Sequence, residues 1–280
     1  MVYVVNVNMY VKDFSYANRR LSDFGCALGY INTSLDNNVS LGCNIKFETI
    51  KNKNTNENRI VDAKYEEPEP FIFDIFKDPC KNDDMSFKDT EVSYIMRWLN
   101  KRRYEKFCPI YDDGSYAEIY FKGSFNVSAI YIGSNIVGFT LTFTPNAPYG
   151  FETEKTISYS LDSNESFEFY NNSDEFGYLY PSKFVVKCNG DGDFTMNNSL
   201  DQHNTVKVKN CTIGETITFN CQDKVVQTDN KSHSSICKDF NYNFPRFVAT
   251  EYENENVFIV SIPCEITVTY SLIRKAGIVV

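Results

Sequence analysis

The sequence predicts a mainly β protein of two domains. Apolar residues alternate with polar ones in many short runs, only one segment has helical spacing, and two prolines interrupt the alternation near the middle. The alternating run Gly138–Thr144 meets Pro145 and Pro148, which cannot donate to a sheet ladder and restrict the residues before them. We therefore predict that pairing stops there and that the chain divides into domains 1–147 and 148–280. Whether the last ten residues return to the first domain is left open.

Composition narrows the class of protein. Hydrophobic residues make up 42% of the 280 residues and aromatic residues 15%, as in a packed protein. The net charge of −9 argues against a general nucleic-acid binder and against docking on anionic membranes. No apolar run approaches the roughly 18 residues that a membrane helix needs. We expect neither membrane nor specific nucleic-acid binding.

The N-terminus and the cysteines favour folding in a cytosol. The segment MVYVVNVNMYVKDF has no basic start followed by a long apolar region, so we expect a first strand rather than a signal peptide. The nine cysteines are odd in number and include no Cys-x-x-Cys pair. Buried, reduced thiols are the expected state.

One helix is predicted over about 89–104. Its apolar residues recur with helical spacing and form a single stripe: Val92, Ile95, Met96 and Leu99. Asp89 or Ser86 is the expected N-cap, and the basic residues 101–103 are expected in the last turn, where the helix dipole favours cations.

Tyr94 and Trp98 form a second strip beside that stripe, at i and i+4. Either both pack against a sheet, or they face a partner protein. The helical spacing fits both interpretations.

A polar-tipped ribbon is predicted ahead of the helix. Two strand-like runs, Asn44–Ile50 and Ile60–Tyr65, flank the loop KNKNTNEN, and a third apolar run follows at Phe71–Phe76. A two-stranded ribbon is marginal alone in water, so packing on a neighbouring subunit would explain it. An ordinary exposed hairpin is the alternative.

The second half shows strand patterns without a helical pattern of useful length. Clear alternation occurs at Thr156–Leu161, Glu215–Cys221 and Glu265–Leu272. Turn signals separate the runs, for example at Asn189-Gly190 and Ile213-Gly214. Several short strands of this kind predict a β-sandwich or jelly roll.

No cluster of residues predicts metal binding. His203 is expected on a surface loop. His233 could join Cys211, Cys221 and Cys237, but the short Cys-x2–4-Cys spacing of a zinc site is missing. The run Asn189–Asp193 resembles a calcium loop only superficially, because the sixth and twelfth positions are Phe194 and Leu200. It is predicted to be a turn.

No motif predicts catalysis either. The sequence contains no GxSxG, GxxxxGK[ST], GxGxxG or HExxH. We predict no enzyme activity, no cofactor and no metal.

Taken in order, several segments resemble the distal tail protein (Dit) family of long-tailed, non-contractile bacteriophages. In the first half these are FGCALGYINTS, the polar-tipped ribbon, RWLNKRRYEKF and FKGSFNVSAIYIG. In the second half they are YLYPSKFVVKCNGDGDFTMNN, IGETITFNCQDKVVQTD, FNYNFPRFV and FIVSIPCEITVTYSLIRKAG. The resemblance implies an N-terminal β-sandwich with one helix and a protruding hairpin at about 44–75, and a C-terminal galectin-like sandwich.

The resemblance also implies a function. Such proteins form a hexameric ring that connects the tail tube to the needle-forming protein and to receptor-binding or peripheral baseplate proteins. The expected location is the virion tail tip, after synthesis in the bacterial host cytoplasm, from either an active phage or a prophage. The residues expected at the subunit interface are Lys46, Phe47, Ile50, Ile60, Val61, Tyr65, Tyr94 and Trp98.

A second hypothesis is a carbohydrate-binding module used in host recognition. Galectin-like folds stack sugars on aromatic side chains, although core packing uses most such residues. The candidates for sugar contact are Tyr170, Tyr178, Tyr180 and Tyr242.

Overall fold

A computed structural model describes residues 11–29, 44–51, 53, 57–68, 70–233 and 235–275. The chain divides into two units. One reaches to Phe151 and also contains Lys275, and the other spans Glu152–Arg274. The division falls four residues after the position expected from the sequence. Of the last ten residues, 271–274 belong to the second unit, and 276–280 lie outside the described residues, as do 1–10, most of the expected first strand.

The first unit is built on antiparallel strands. Seven of them pair in the order β2-β1-β7-β8-β9-β6-β3, and β4 pairs with β5 alone. The elements are β1 (Val11–Tyr16), β2 (Arg19–Arg20), a 3-10 helix (Leu21–Phe24), β3 (Cys26–Gly29), β4 (Ile45–Lys51), β5 (Asn58–Tyr65), β6 (Phe71–Lys77), α1 (Asp89–Leu99), β7 (Glu105–Tyr111), β8 (Ile119–Ile132), β9 (Asn135–Pro145) and β10 (Gly150–Glu152).

The hairpin is shorter than the predicted range of 44–75. It consists of β4 and β5, which end at Tyr65. The third apolar run, β6, lies instead between β9 and β3 in the main sheet. The reason is its alternation, which buries Phe73 and Ile75 in the core of the unit.

Aromatic side chains fill the core of the first unit. The ring of Phe14 lies 5.3 Å from Phe107, 5.4 Å from Phe73, 5.6 Å from Trp98 and 5.7 Å from Phe125, measured between ring centroids. These rings come from β1, β6, β7, β8 and α1, so one cluster ties the helix to the sheet. Ring pairs at such distances stabilise a core beyond the area that they bury.

The helix α1 ends five residues earlier than predicted. Lys88 is its N-cap, and its backbone N–H donates to Glu91 Oε2 at 2.8 Å, so neither expected capping residue has that position. The chain leaves the helix after Leu99 because Glu105 already pairs with Gly123 at the start of β7. The basic residues 101–103 therefore lie beyond the last turn.

Strand β9 extends further than predicted. Pro145 pairs with Gly123, and the next backbone N–H, of Asn146, donates to the Lys122 carbonyl at 2.8 Å. The missing donor of Pro145 thus interrupts the ladder without ending it. Gly123 allows the close approach, because a Cβ there would lie 2.3 Å from the Thr144 carbonyl oxygen.

The second unit contains two antiparallel sheets and a short strand pair. The five-stranded sheet has the order β11-β21-β14-β17-β18, the four-stranded sheet β12-β20-β15-β16, and β13 pairs with β19. The elements are β11 (Lys155–Leu161), β12 (Ser166–Tyr170), β13 (Gly177–Leu179), β14 (Lys183–Cys188), β15 (Gly192–Asn198), β16 (Asp201–Cys211), β17 (Thr216–Asn220), β18 (Val225–Thr228), a 3-10 helix (Lys231–His233), α2 (Ile236–Asp239), β19 (Phe247–Ala249), β20 (Glu255–Val260), β21 (Cys264–Tyr270) and β22 (Ile273–Arg274).

The two sheets of this unit pack face to face. Alternate residues are buried in each strand, so each sheet has one apolar and one polar face. Aromatic pairs join the sheets: Tyr159 to Phe167 at 4.5 Å and Phe169 to Tyr270 at 4.8 Å between centroids. The predicted class, a mainly β fold of two parts with a sandwich in the second, is confirmed.

Candidate assembly surface

The β4–β5 hairpin, called the ribbon from here on, is exposed along its length. Every residue of β4 is exposed, and so are most residues of β5. Ile45 opposes Tyr65, Phe47 opposes Ala63, and Ile50 opposes Arg59. The ribbon presents both faces to the surroundings within the part of the chain that the structure describes.

One face of the ribbon is apolar. Side chains at alternate positions share a face, and so do directly opposed residues. Ile45 and Phe47 therefore lie on the same face as Tyr65. Thr49, two residues further, opposes Ile60, which places Ile60 there as well.

A register shift widens this apolar face. Between the pairs Glu48–Asp62 and Thr49–Ile60 the strand β5 has one extra residue, Val61. The bulge adds a second β-branched side chain next to Ile60, and the two are 59% and 58% exposed.

The opposite face of the ribbon is charged. Lys64 Nζ lies 3.2 Å from Glu48 Oε1 and 2.8 Å from Asp62 Oδ2. Exposed ion pairs of this kind stabilise little, but they keep the face polar. Lys46 and Ile50, both expected at the interface, lie on this face, so the predicted set divides between the two faces.

The two aromatic residues of α1 differ in exposure. Tyr94 is 60% exposed, whereas Trp98 is 3% exposed. Trp98 Nε1 donates to the Tyr16 carbonyl at 2.7 Å, and its ring stacks on Phe24 at 4.3 Å. Because its side chain is held in the core, Trp98 does not belong to the candidate surface, and Tyr94 does.

The four tyrosines considered for sugar contact lie at different places in the second unit. Tyr170 donates to Glu255 at 2.9 Å on the outer face of the four-stranded sheet. Tyr242 is 64% exposed in a loop. Tyr178 and Tyr180 are brought together by Arg246, whose Cζ lies 3.8 Å from the Tyr178 ring centroid and whose Nη1 lies 3.3 Å from the Tyr180 hydroxyl.

His233 is part of a buried ion pair. Its Nδ1 lies 2.7 Å from Glu215 Oε1, and its Nε2 lies 3.3 Å from Asp239 Oδ2. Burial lowers the pKa of His233, but the two carboxylates more than offset this and hold that pKa above its ordinary value. Burial raises the pKa of Glu215, but hydrogen bonds from Thr228 and His233 bring it below its ordinary value. The sequence pattern gave no sign of this pair.

The other positions considered for metals have structural roles. Among the described residues, no group of three or more His, Cys, Asp or Glu side chains is placed to hold a metal ion. Asp191 accepts from the Ile213 N–H at 2.7 Å, and Asp193 pairs with Lys207 at 3.0 Å. His203 is exposed but lies within strand β16, not on the loop expected, because the polar turn ends before Asp201.

No helix within the described ranges is long and apolar enough to cross a membrane.

The family of the chain follows from two domain models that match successive parts of it. Residues 9–147 match a phage tail protein N-terminal domain, and residues 149–270 match a phage tail C-terminal domain. The chain therefore belongs to this family of two-domain phage tail proteins. Comparison with curated protein sequences finds no match.

Solved structures show a similar fold. The Dit protein of phage SPP1, described as a paradigm of the hub adsorption apparatus in phages that infect Gram-positive bacteria, aligns with a TM-score of 0.59 and 11% identity over 94% of this chain and 100% of that one. A chain of the phage p2 baseplate in its activated conformation aligns with a TM-score of 0.51 and 6% identity over 93% and 98%. The family and fold expected from the sequence are confirmed.

Proposed function

We propose that this phage tail protein is a structural hub that forms a homo-oligomeric ring at the distal end of the tail. The ring would link the tail tube to tail-tip or baseplate proteins and to proteins of host adsorption. The observation that carries the proposal is the ribbon, an exposed two-stranded hairpin with one apolar face, on a chain with the fold of a hub protein.

The apolar face supports self-association through the ribbon. Its residues Ile45, Phe47, Ile60 and Val61 are between 47% and 59% exposed. Contiguous exposed apolar residues mark interaction sites. Full burial of such a side chain contributes about 1.5–3 kcal/mol, so covering the exposed half of each contributes about 1 kcal/mol. A neighbouring copy that covers this face would also stabilise a ribbon that is marginal alone.

A closed ring also requires rotational symmetry between its copies. A ribbon that contacts a different surface of the next copy makes a head-to-tail interface, which closes only when the rotation between copies closes. The resemblance to the distal tail protein family leads us to propose six copies. The tail tube protein, the needle-forming protein and receptor-binding or peripheral baseplate proteins are the proposed further partners.

The assembly state tests the proposal directly. We expect light scattering after size exclusion to give a mass near six protomers, and electron microscopy of the same sample to show sixfold rings. Assembly on purified tail tubes is the second measurement, because a ring can require a template. A protein that stays monomeric and also fails to join tails would overturn the proposal.

Two isoleucines of the ribbon provide a matched pair of variants. Ile60 lies on the apolar face and is 58% exposed, while Ile50 lies on the charged face and is 62% exposed. We expect Ile60→Asn to weaken association by about 1 kcal/mol per interface, or about fivefold, and Ile50→Asn to have little effect. Fluorescence of Trp98, the single tryptophan, verifies that both variants fold. Equal effects of the two substitutions would contradict a contact through one face.

A further inference from the structure

Three strand ends bring buried thiols together inside the second unit. Strand β14 ends at Cys188, strand β16 ends at Cys211, and strand β21 begins at Cys264. The three residues are between 0% and 2% exposed. Because β14 and β21 belong to the five-stranded sheet and β16 to the four-stranded sheet, the cluster contains thiols from both sheets.

The chain segments that follow β14 and β16 run side by side. The Cys188 backbone N–H donates to the Glu215 carbonyl at 2.8 Å, and the Gly214 N–H donates to the Cys188 carbonyl at 2.7 Å. Gly192, the first residue of β15, opposes Cys211 in the register of β15 and β16. These backbone contacts fix the positions of Cys188 and Cys211 relative to each other.

The thiols of Cys188 and Cys211 are joined by a hydrogen bond. The Cys188 thiol donates to the Cys211 sulfur, and the Phe194 backbone N–H also donates to that sulfur. The bond from Cys188 lowers the pKa of Cys211 below its ordinary value, although burial and the Glu215 carboxylate raise it. The same bond, together with burial, raises the pKa of Cys188. Cys211 is therefore the better nucleophile of the two.

Cys264 is less well placed to bond with Cys188. The two directly oppose each other on β21 and β14, and the backbone hydrogen bond, 2.8 Å long, lies at the next pair, from the Asn189 N–H to the Pro263 carbonyl. A pair without its own hydrogen bonds has Cα atoms about 4.5 Å apart. Disulfides most often join Cα atoms about 5.5–6 Å apart, so a bond here would be strained. Burial also raises the pKa of Cys264 to about 12.

We propose that Cys188 and Cys211 form a disulfide when the protein meets hydrogen peroxide. The Cys211 thiolate attacks one peroxide oxygen, so an S–O bond forms, the O–O bond breaks and hydroxide leaves. The Cys188 sulfur then attacks the Cys211 sulfenic acid, so the S–S bond forms, the S–O bond breaks and water leaves with the Cys188 proton. The two sulfurs are oxidised by two electrons, the peroxide is reduced, and the proton that Cys211 released neutralises the hydroxide.

The disulfide joins the five-stranded sheet to the four-stranded sheet. A phage tail protein is made in a reducing cytosol and leaves it with the particle, so the bond forms after release. It closes a loop of about 24 residues in the unfolded chain and should raise the midpoint of thermal unfolding of the second unit by about 10 °C. Ring formation is a separate matter, because the ribbon belongs to the first unit.

Peptide mapping of the full chain after oxidation tests the inference. Iodoacetamide first blocks Cys80, Cys237 and any other accessible thiol in the native protein, and hydrogen peroxide is then added. We expect the intact mass to fall by two hydrogen atoms, reversibly with a phosphine reductant, and a proteolytic fragment to link Cys188 to Cys211. An unchanged mass, a gain of oxygen without a link, or a link from Cys188 to Cys264 would overturn the inference.

Three alanine variants identify the sulfurs that react. Cys211→Ala should abolish both the link and the rise in the unfolding midpoint, whereas Cys264→Ala should keep both. Cys221→Ala, which removes another buried thiol of the same unit, is the matched control and should also keep both. Circular dichroism verifies that each variant folds, and the wild-type map decides by itself if Cys211→Ala does not. Loss of the link in Cys264→Ala, or its persistence in Cys211→Ala, would refute the assignment.

Discussion

Replacing His233 with alanine should destabilise the second unit by about 3 kcal/mol at pH 6. The substitution leaves Glu215 buried without its ion-pair partner, and the Glu215 side chain is 0% exposed. Breaking a buried pair by removing one partner costs about 3–5 kcal/mol. The lower end applies because Thr228 Oγ1 still donates to Glu215 at 2.6 Å and the Thr212 backbone N–H at 3.1 Å.

The cost should fall as pH rises. The pKa of His233 in the folded protein lies above its ordinary value of 6.5, so the charged form stabilises the fold below pH 6.5 and this contribution is lost as pH rises through the folded pKa. Neutral His233 keeps one donor for Glu215 but none for Asp239. At alkaline pH the cost should therefore fall to about 1.5 kcal/mol, the lower end for one hydrogen bond to a charged group.

Urea unfolding followed by far-ultraviolet circular dichroism between pH 5.5 and 9 measures this cost, and fluorescence of Trp98 reports the first unit separately. Glu215→Gln in the His233→Ala background is the control. It should recover part of the loss, because it removes the uncompensated charge. A loss below about 1 kcal/mol that stays constant over the pH range would refute a charged His233–Glu215 pair.

Two other predictions concern the backbone and the thiols. Gly123→Ala should destabilise the first unit by about 1–3 kcal/mol in urea unfolding, because its Cβ would lie 2.3 Å from the Thr144 carbonyl oxygen and force β8 and β9 apart. An unchanged midpoint would contradict that contact. Iodoacetamide at pH 8 should modify the exposed Cys80 and Cys237 in the native protein, as measured by mass spectrometry, since burial raises the pKa of thiols such as Cys221, to about 12. Labelling in the native state is not expected for the buried thiols Cys26, Cys108, Cys188, Cys211, Cys221 and Cys264.

The sequence predicted the elements that depend on local pattern. Both strands of the ribbon and the helix α1 appear near their expected positions because alternation and helical spacing are local signals. The predicted ends of the helices and strands were less accurate, as the early end of α1 at Leu99 shows. That end depends on where Glu105 pairs with Gly123, which is a contact between distant segments.

Side-chain roles set by distant contacts could not be predicted. From the sequence alone, the side chain of Trp98 could face either the core or a partner protein. It lies in the core because its Nε1 donates a hydrogen bond to the carbonyl of Tyr16, 82 residues away. The pair of His233 and Glu215 likewise joins residues 18 apart with no pattern between them. The bulge at Val61 depends on the register of two strands, whereas a single strand shows only alternation.

The two unlike faces of the ribbon restrict what can bind it. A hairpin has two unpaired strand edges, and one that is apolar on both faces would invite indiscriminate association. Here Glu48, Asp62 and Lys64 make one face polar around a single isoleucine, Ile50. A partner therefore gains most of its apolar burial on the face that carries Phe47 and Ile60. Association through one face also fixes which way the ribbon lies on its partner, as a closed ring requires. The difference expected between the Ile60 and Ile50 variants is thus a consequence of the register that the bulge sets.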